Sequence, residues 1–180
     1  MSVSSKKDAV KIFIGFIFAR KEVYFKTKRI LEKKFGQSDF ESQTLPFNHT
    51  RYYEKEFGAN LKRKFLSFKR LTRPGKLAQI KVVTNKIEQR LNHKGKRQIN
   101  IDPGILTLSK IILASTKDYK HRIYLAKKIF AEVTLYFQNK SFHAWEWTYP
   151  DYKTPEYIQI FNHIRDIYSR QLKNRTRDKL

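Results

Sequence analysis

The feature that most constrains the fold is an apolar segment near the amino terminus. Residues 10–18 are nearly all apolar and show no alternation between apolar and polar positions. This pattern is typical of a strand whose two faces are both covered by other parts of the protein. No stretch of the chain approaches the roughly 20 apolar residues that span a bilayer. The segment therefore predicts a buried strand, and the sequence predicts no transmembrane segment.

Three longer segments have the spacing of amphipathic helices. The first begins at Lys21, directly after the buried strand, and ends before Gly36, which suits the position after a helix C-terminus. A strand followed by a helix suggests the start of a βαβ or split βαβ unit. The second helix begins at Lys76, and the third follows Thr154-Pro155-Glu156, which forms a favourable helix start.

Several shorter segments have the composition of strands. We expect extended structure over residues 38–48, 64–71 and 98–101, and an antiparallel meander over residues 121–125, 129–137 and 142–147. Asp102-Pro103 has the order of an N-cap followed by a first helical residue. This order predicts a helix over residues 102–113. The β-branched residues in that segment leave a strand as the alternative.

These elements predict a single globular domain over residues 1–172, of the α/β or α+β class. It would contain a mixed sheet with an antiparallel C-terminal meander and three to four helices. The chain of 180 residues is long enough to bury a substantial core. Residues 173–180 are predicted to be a basic, flexible tail.

The net charge of the chain is +23, from 39 Lys and Arg against 16 Asp and Glu. A charge this large favours nucleic acid first, and an anionic membrane surface second, as partners. The alternative is a basic, solvated surface that reflects codon bias, because the excess is spread along the chain. The absence of cysteine excludes disulfides, thiolate zinc sites and thiol nucleophiles, and it is compatible with the cytoplasmic location that we expect.

The motifs of well-known nucleotide sites are missing. Neither Gly75-Lys76 nor Gly95-Lys96 has the glycine five positions earlier, or the following hydroxyl, that a P-loop requires. No GxGxxG, GxSxG or HExxH motif is present.

Ionisable residues are instead concentrated among apolar runs between Asn100 and Glu132. An unpaired charge beside a core element is costly, so these residues predict either a site or an ion-pair network. A turn and strand carrying Lys, His and Arg can bind a phosphate or carboxylate. The candidate anion-binding residues are Lys110, Lys117, His121 and Arg122. Alternatively, His121 and Arg122 pair with Asp118 or Asp102.

The same segment contains three carboxylates that could form a metal site. Asp102, Asp118 and Glu132 offer the oxygen ligands that magnesium prefers, and Lys120 or His121 could assist catalysis. This arrangement would suit a metal-dependent enzyme of phosphoryl transfer or phosphodiester cleavage. The alternatives are that Asp102 caps a helix and that Asp118 belongs to a turn.

Aromatic and polar residues from other segments are candidates for the walls of a pocket. We expect a cleft where residues 100–102, 117–122 and 149–151 converge. The lining residues predicted from their type and position are Asn100, Tyr52, Tyr53, Trp147, Tyr149 and Asp151. Aromatic rings among Lys and Arg can stack on bases or sugars. Alternatively, residues 147–152 form a rigid corner before the last helix.

Four blocks of sequence resemble a known family. They are PFNHTRYYEKEFG at 46–58, RQINIDPGILTLSKIILASTKDYKHRIYL at 97–125, FAEVTLYF at 130–137 and WTYPDY at 147–152. They resemble the prokaryotic family known as domain of unknown function 4416, from the first strand to the last helix. The resemblance implies no established activity. It is the only basis for adding Thr50 to the candidate site.

The sequence therefore predicts a cytoplasmic binding domain for an anionic ligand, either a nucleotide-like phosphorylated molecule or nucleic acid. The first alternative is the metal-dependent enzyme, with magnesium as its possible cofactor. The second is a structural or interaction protein without a small-ligand site, in which residues 100–132 form an internal ion-pair network.

Overall fold

The computed structural model describes residues 9–50 and 52–177, in which helices and strands are interspersed along the chain. The helices are α1 (Lys21–Phe35), α2 (Glu54–Phe57), α3 (Leu77–Arg90) and α4 (Pro155–Arg177). The strands are β1 (Lys11–Phe18), β2 (Ser38–Glu41), β3 (Leu45–Pro46), β4 (Lys62–Phe68), β5 (Ile99–Leu106), β6 (Lys110–Ser115), β7 (Ile123–Ala126), β8 (Ile129–Gln138) and β9 (Ser141–Ala144). Short 3₁₀ turns cover Pro74–Lys76 and Pro150–Lys153.

The strands form one open sheet in the order β2-β4-β1-β5-β6-β8-β7, and β3 and β9 pair with β4 and β8. Each pair of neighbours is antiparallel. Strands β1 and β2 thus run in the same direction on either side of β4 and are joined through α1. Strands β4 and β5 flank β1 in the same way and are joined through α3. Two interlocked split βαβ units form a ferredoxin-like core, so the α+β class and the antiparallel C-terminal strands are confirmed. The sheet was expected to be mixed, but it is antiparallel throughout the described residues.

The central strand β1 is buried along its whole length, as its apolar sequence predicts. Ile14 and Phe16 pack with the buried faces of α1 and α3 on one side of the sheet. Phe13 packs on the other side with Phe161 and Ile164 of α4. Helices therefore cover both faces of the sheet around β1, and this arrangement explains why its residues do not alternate.

The helix expected over residues 102–113 is wrong. These residues form the antiparallel hairpin of β5 and β6, and Asp102 lies within a strand, where it caps no helix. The turn is closed by Thr107, whose hydroxyl oxygen accepts hydrogen bonds from the amides of Ser109 (3.2 Å) and Lys110 (3.1 Å). The β-branched residues of this segment thus indicated the correct alternative.

The carboxyl-terminal helix is longer than the sequence suggests. Helix α4 continues to Arg177, into the segment predicted to be a flexible tail, and residues 178–180 lie outside the described residues. No helix in the described part of the chain has the length and apolar character needed to cross a membrane.

Candidate functional site

A cleft of about 630 Å³ opens where β5 and β6 separate. The two strands pair only where Gly104–Leu106 faces Ile111–Leu113, and toward Asn100 and Ser115 they no longer bond to each other. Pro103 is the first residue of β5 on this side that has no partner on β6, although it pairs with Ile14 of β1. Proline has no N–H to donate to a neighbouring strand. The pairing therefore ends at Pro103, and the space between the diverging strands becomes a cavity.

Side chains from α3 replace the missing strand along β5. Glu88 accepts a hydrogen bond from the Ile101 amide (2.6 Å), and Lys81 donates to the Ile101 carbonyl (3.0 Å) and to Asp102 (3.4 Å). Burial raises the pKa of Glu88, although Lys81 and the Ile101 amide partly offset this effect. The backbone of β5 is thus satisfied without β6, and this wall of the cleft is held in place.

Arg63 on β4 lies at the base of the cleft and is only 2% exposed. Its Nη2 donates to Asp151 (3.1 Å), and Nη1 is 3.7 Å from an oxygen of Asp102. The guanidinium also lies 5.0 Å from the ring centre of Phe65 and 5.3 Å from that of Tyr152. Burial opposes the charge, but Tyr152 and Asp151 outweigh this effect and raise the pKa of Arg63.

Some donors of Arg63 are nevertheless unused. Its Nε and Nη1 atoms make no hydrogen bond to any of the residues that the structure describes, and neither does the buried hydroxyl of Tyr152. Leaving a buried donor without a partner costs about 1–3 kcal/mol, and more for a charged group. Both residues line the cleft.

The side chains of His121 and Arg122 stabilise the loop between β6 and β7. Arg122 Nε lies 3.0 Å from Glu132 Oε2, and His121 Nε2 lies 3.1 Å from the same oxygen. Arg122 also donates to the Ser115 hydroxyl (3.0 Å), to the Lys117 carbonyl (2.9 Å) and to the Tyr149 hydroxyl. The ion pairing left open by the sequence is therefore present, with Glu132 as the partner in place of Asp118 or Asp102.

The ammonium group of Lys117 faces an aromatic ring. Its Nζ lies 4.8 Å from the ring centre of Tyr52, and both residues line the cleft. Among the described residues, no carboxylate forms a salt bridge with Lys117. A cation–π contact leaves its remaining N–H groups available to a ligand.

The structure brings together most of the candidate residues from the sequence. Those that line the cleft are Thr50, Tyr52, Tyr53, Asn100, Asp102, Lys117, Glu132, Tyr149 and Asp151. Burial raises the pKa of Tyr53 and of Tyr149, so both hydroxyls stay protonated at neutral pH.

The other candidates lie elsewhere. Lys110 is at the opposite end of β6 from Ser115, about 16 Å away along the strand. Asp118 lies exposed in the loop before β7 and is not part of the cleft wall. Trp147 is not part of the cleft wall, and its ring stacks on His121 with ring centres 5.6 Å apart.

The three carboxylates considered for magnesium do not form a site. Among the described residues, no group of three His, Asp or Glu could hold a metal ion. Asp102 is engaged by Lys81 and by Asn100 (2.5 Å), and Glu132 by Arg122 and His121. The expected cluster of Asp102, Asp118 and Glu132 is therefore wrong, because basic residues within the protein already pair with two of the three.

Sequence reasoning missed several charged residues of the cleft: Arg63, Lys81, Glu88 and Arg97. Arg63 stands between Lys62 and Lys64, and the alternation of side chains in a strand could have indicated that it points the other way. Lys81, Asn85 and Glu88 occupy positions i, i+4 and i+7 of α3, which is the spacing of one helix face. Neither signal identifies the partner across the cleft.

Comparison with known proteins supports the resemblance seen in the sequence. A family model described as Domain of unknown function (DUF4416) matches residues 8–168. The chain belongs to this family. The matched region of this DUF4416 domain runs from β1 into α4 and includes all the residues of the cleft. No curated protein and no solved structure matches the chain. Since the family description names no activity, a function has to be argued from the cleft.

Proposed function

We propose that this domain binds a small anionic molecule, with phosphate or carboxylate groups, in the cleft between β5 and β6. The observation that carries the proposal is Arg63, a buried cation at the base of the cleft whose Nε and Nη1 atoms have no hydrogen-bond partner among the described residues. Arginine donors bind carboxylate and phosphate oxygens with favourable geometry.

The pairing of charges around the cleft supports an anion over a cation. The lining contains as many carboxylates as Lys and Arg side chains, but each of these carboxylates already has a partner within the protein. The unused capacity belongs to Arg63 and Lys117, which are both donors. A ligand that brings acceptor oxygens therefore fits the cleft better than one that brings donors.

The size of the cleft favours a small molecule over nucleic acid at this site. A volume of about 630 Å³ lies within the usual range for small-molecule pockets, about 300–1,000 Å³. Phe47, Tyr52 and Tyr53 line one side and could pack against a ring of the ligand. A nucleotide-like molecule combines such a ring with anionic groups. We place this binding in the cytoplasm, which the absence of cysteine permits.

The test is a thermal-shift screen of nucleotides, sugar phosphates and carboxylic acids, followed by calorimetric titration of any hit. Two variants examine the cleft: Arg63→Lys keeps the charge but removes the planar donor group, and Lys117→Gln removes an exposed cation. Lys110→Gln is the matched control, because it removes one positive charge from the far end of β6. We expect each cleft variant to weaken binding by about tenfold, the value of one charge-assisted hydrogen bond.

The control should bind like the unmodified protein. Equal affinity in all three variants would refute the proposal. Equal weakening in Lys117→Gln and Lys110→Gln would refute it too, because the net charge alone would then be responsible. Circular dichroism of Arg63→Lys separates loss of binding from loss of fold, and Lys117→Gln tests the site without altering a buried residue.

A further inference from the structure

A second cavity, of about 460 Å³, lies away from the cleft and shares no lining residue with it. It is formed by the C-terminal end of α1, the connection from β4 to α3 and the first turns of α3. Residues of these three segments line it together with Ile12 of β1.

The charges of this cavity all have one sign. Lys34, Arg70, Arg73 and Lys76 line it, and its wall contains no carboxylate. Within the described part of the chain, none of the four forms a salt bridge, although Lys76 donates to the side chain of Gln79 (3.2 Å). Four uncompensated cations around one cavity repel one another, and an anion bound among them would reduce that repulsion.

The backbone segment that contains Arg70 and Arg73 is held in place. The amide and carbonyl of Thr72 bond to Val10 (2.9 and 2.7 Å), so the segment between Arg70 and Arg73 is fixed to the start of β1. Gly36 ends α1 with φ of 94°, and a Cβ at that position would be 3.3 Å from Arg70 Cβ. The absence of a side chain at Gly36 thus lets Arg70 lie across the end of the helix.

The inner part of the cavity is apolar. Ile12 and Ile80 are buried in the core, and Phe35 and Val83 pack against the same cluster. A wall of this kind suits the organic part of a ligand, while the surrounding arginines suit doubly charged oxygen groups.

We propose that this cavity is a second binding site, which recognises the phosphate groups of a phosphorylated molecule. The four cations and the absence of any carboxylate from the wall provide the charge. Arg70 and Arg73 provide planar donor groups that can each bind two phosphate oxygens. Phosphate of this kind comes either from a free phosphate ester or from the backbone of a nucleic acid.

The experiment is a titration of the full chain with inorganic pyrophosphate, in which two-dimensional NMR spectra record the amide chemical shifts. Phenyl phosphate and a short single-stranded oligoribonucleotide are the second and third probes. We expect shifts to concentrate at residues 34–36 and 70–80. Arg70→Gln with Arg73→Gln should weaken pyrophosphate binding by about tenfold for each arginine.

The matched control is Lys86→Gln with Arg90→Gln, which removes the same charge from exposed positions near the other end of α3. This control should shift the amides of residues 34–36 and 70–80 with pyrophosphate as the unmodified chain does. Pyrophosphate bound in the cleft would instead shift amides such as those of Asp102 and Lys117. Failure of the second site is therefore distinguishable from failure of the first.

Three results would overturn the proposal: shifts spread evenly over the basic surface, equal loss in the control, or undiminished binding by the double arginine variant. Inorganic phosphate is the fourth probe, and tighter binding of phenyl phosphate than of inorganic phosphate would support a free phosphate ester. Tighter binding of the oligoribonucleotide than of pyrophosphate, at the same amides and lost in the same variant, would support a nucleic-acid backbone as the source.

Discussion

Arg63 should be the residue on which the stability of the cleft depends most strongly. Arg63→Met keeps a long side chain but removes the charge, and it leaves Asp151, only 7% exposed, without the donor 3.1 Å away. Removing one partner of a buried ion pair typically costs about 3–5 kcal/mol, because the remaining charge is desolvated and unpaired. In a domain of this size, that loss lowers the melting temperature by on the order of 10 °C.

Urea denaturation of four proteins tests this reasoning: the unmodified chain, Arg63→Met, Asp151→Asn and the double variant. If the pair is responsible, the double variant will be more stable than the sum of the two single losses predicts, by about 1–3 kcal/mol. Additive losses would mean that Arg63 stabilises the fold through its ring contacts with Phe65 and Tyr152 instead. A loss below about 1 kcal/mol in Arg63→Met would refute the assignment of a buried, functional cation.

Three further outcomes are expected. Gly104→Ala should cost about 3 kcal/mol in urea denaturation, because its Cβ would lie 2.3 Å from Phe13 Cζ. Lys128→Gly should stabilise the β7–β8 turn by about 1 kcal/mol by the same measurement, since Lys128 has φ of 59°. Glu41 is partly buried, which raises its pKa, but Lys28 and Lys64 outweigh burial and lower the pKa to about 2. Its stabilising effect should be complete above pH 4.5, its ordinary pKa, and disappear toward pH 2, and Glu41→Gln should flatten that acid transition.

Much of the fold could be predicted because it depends on local patterns. The unbroken apolar run of β1 predicted a strand covered on both faces, and helical spacing predicted α1, α3 and α4. The segment after Asp102 was harder to assign, since an N-cap followed by proline suits a helix start as well as the end of a strand ladder. Only the pairing of β5 with β1 distinguishes the two, and that pairing joins distant parts of the chain.

The cleft was predictable in location but not in chemistry. Three sequence segments were expected to converge, and residues from each of them line the same cavity. The bond between Arg63 and Asp151 spans 88 positions of sequence, and the one from Lys81 to Ile101 spans 20. The local spacing of residues does not reveal contacts between positions so far apart. The sequence therefore could not show which of the charged residues are already paired.

The net charge of +23 is compensated to different degrees in the two cavities. In the cleft, carboxylates compensate the cations, so the binding that we propose there depends on the directed donors of Arg63. In the second cavity, Arg70 and its neighbours are uncompensated and exposed, so attraction acts at longer range and is screened by salt. Affinity at the second cavity should therefore fall steeply between low and physiological ionic strength, whereas affinity in the cleft should change little. A titration at both salt concentrations with Arg70→Gln/Arg73→Gln and with Arg63→Lys would separate the two sites. Equal salt dependence at both sites would show that the total charge, and not its pairing, governs binding.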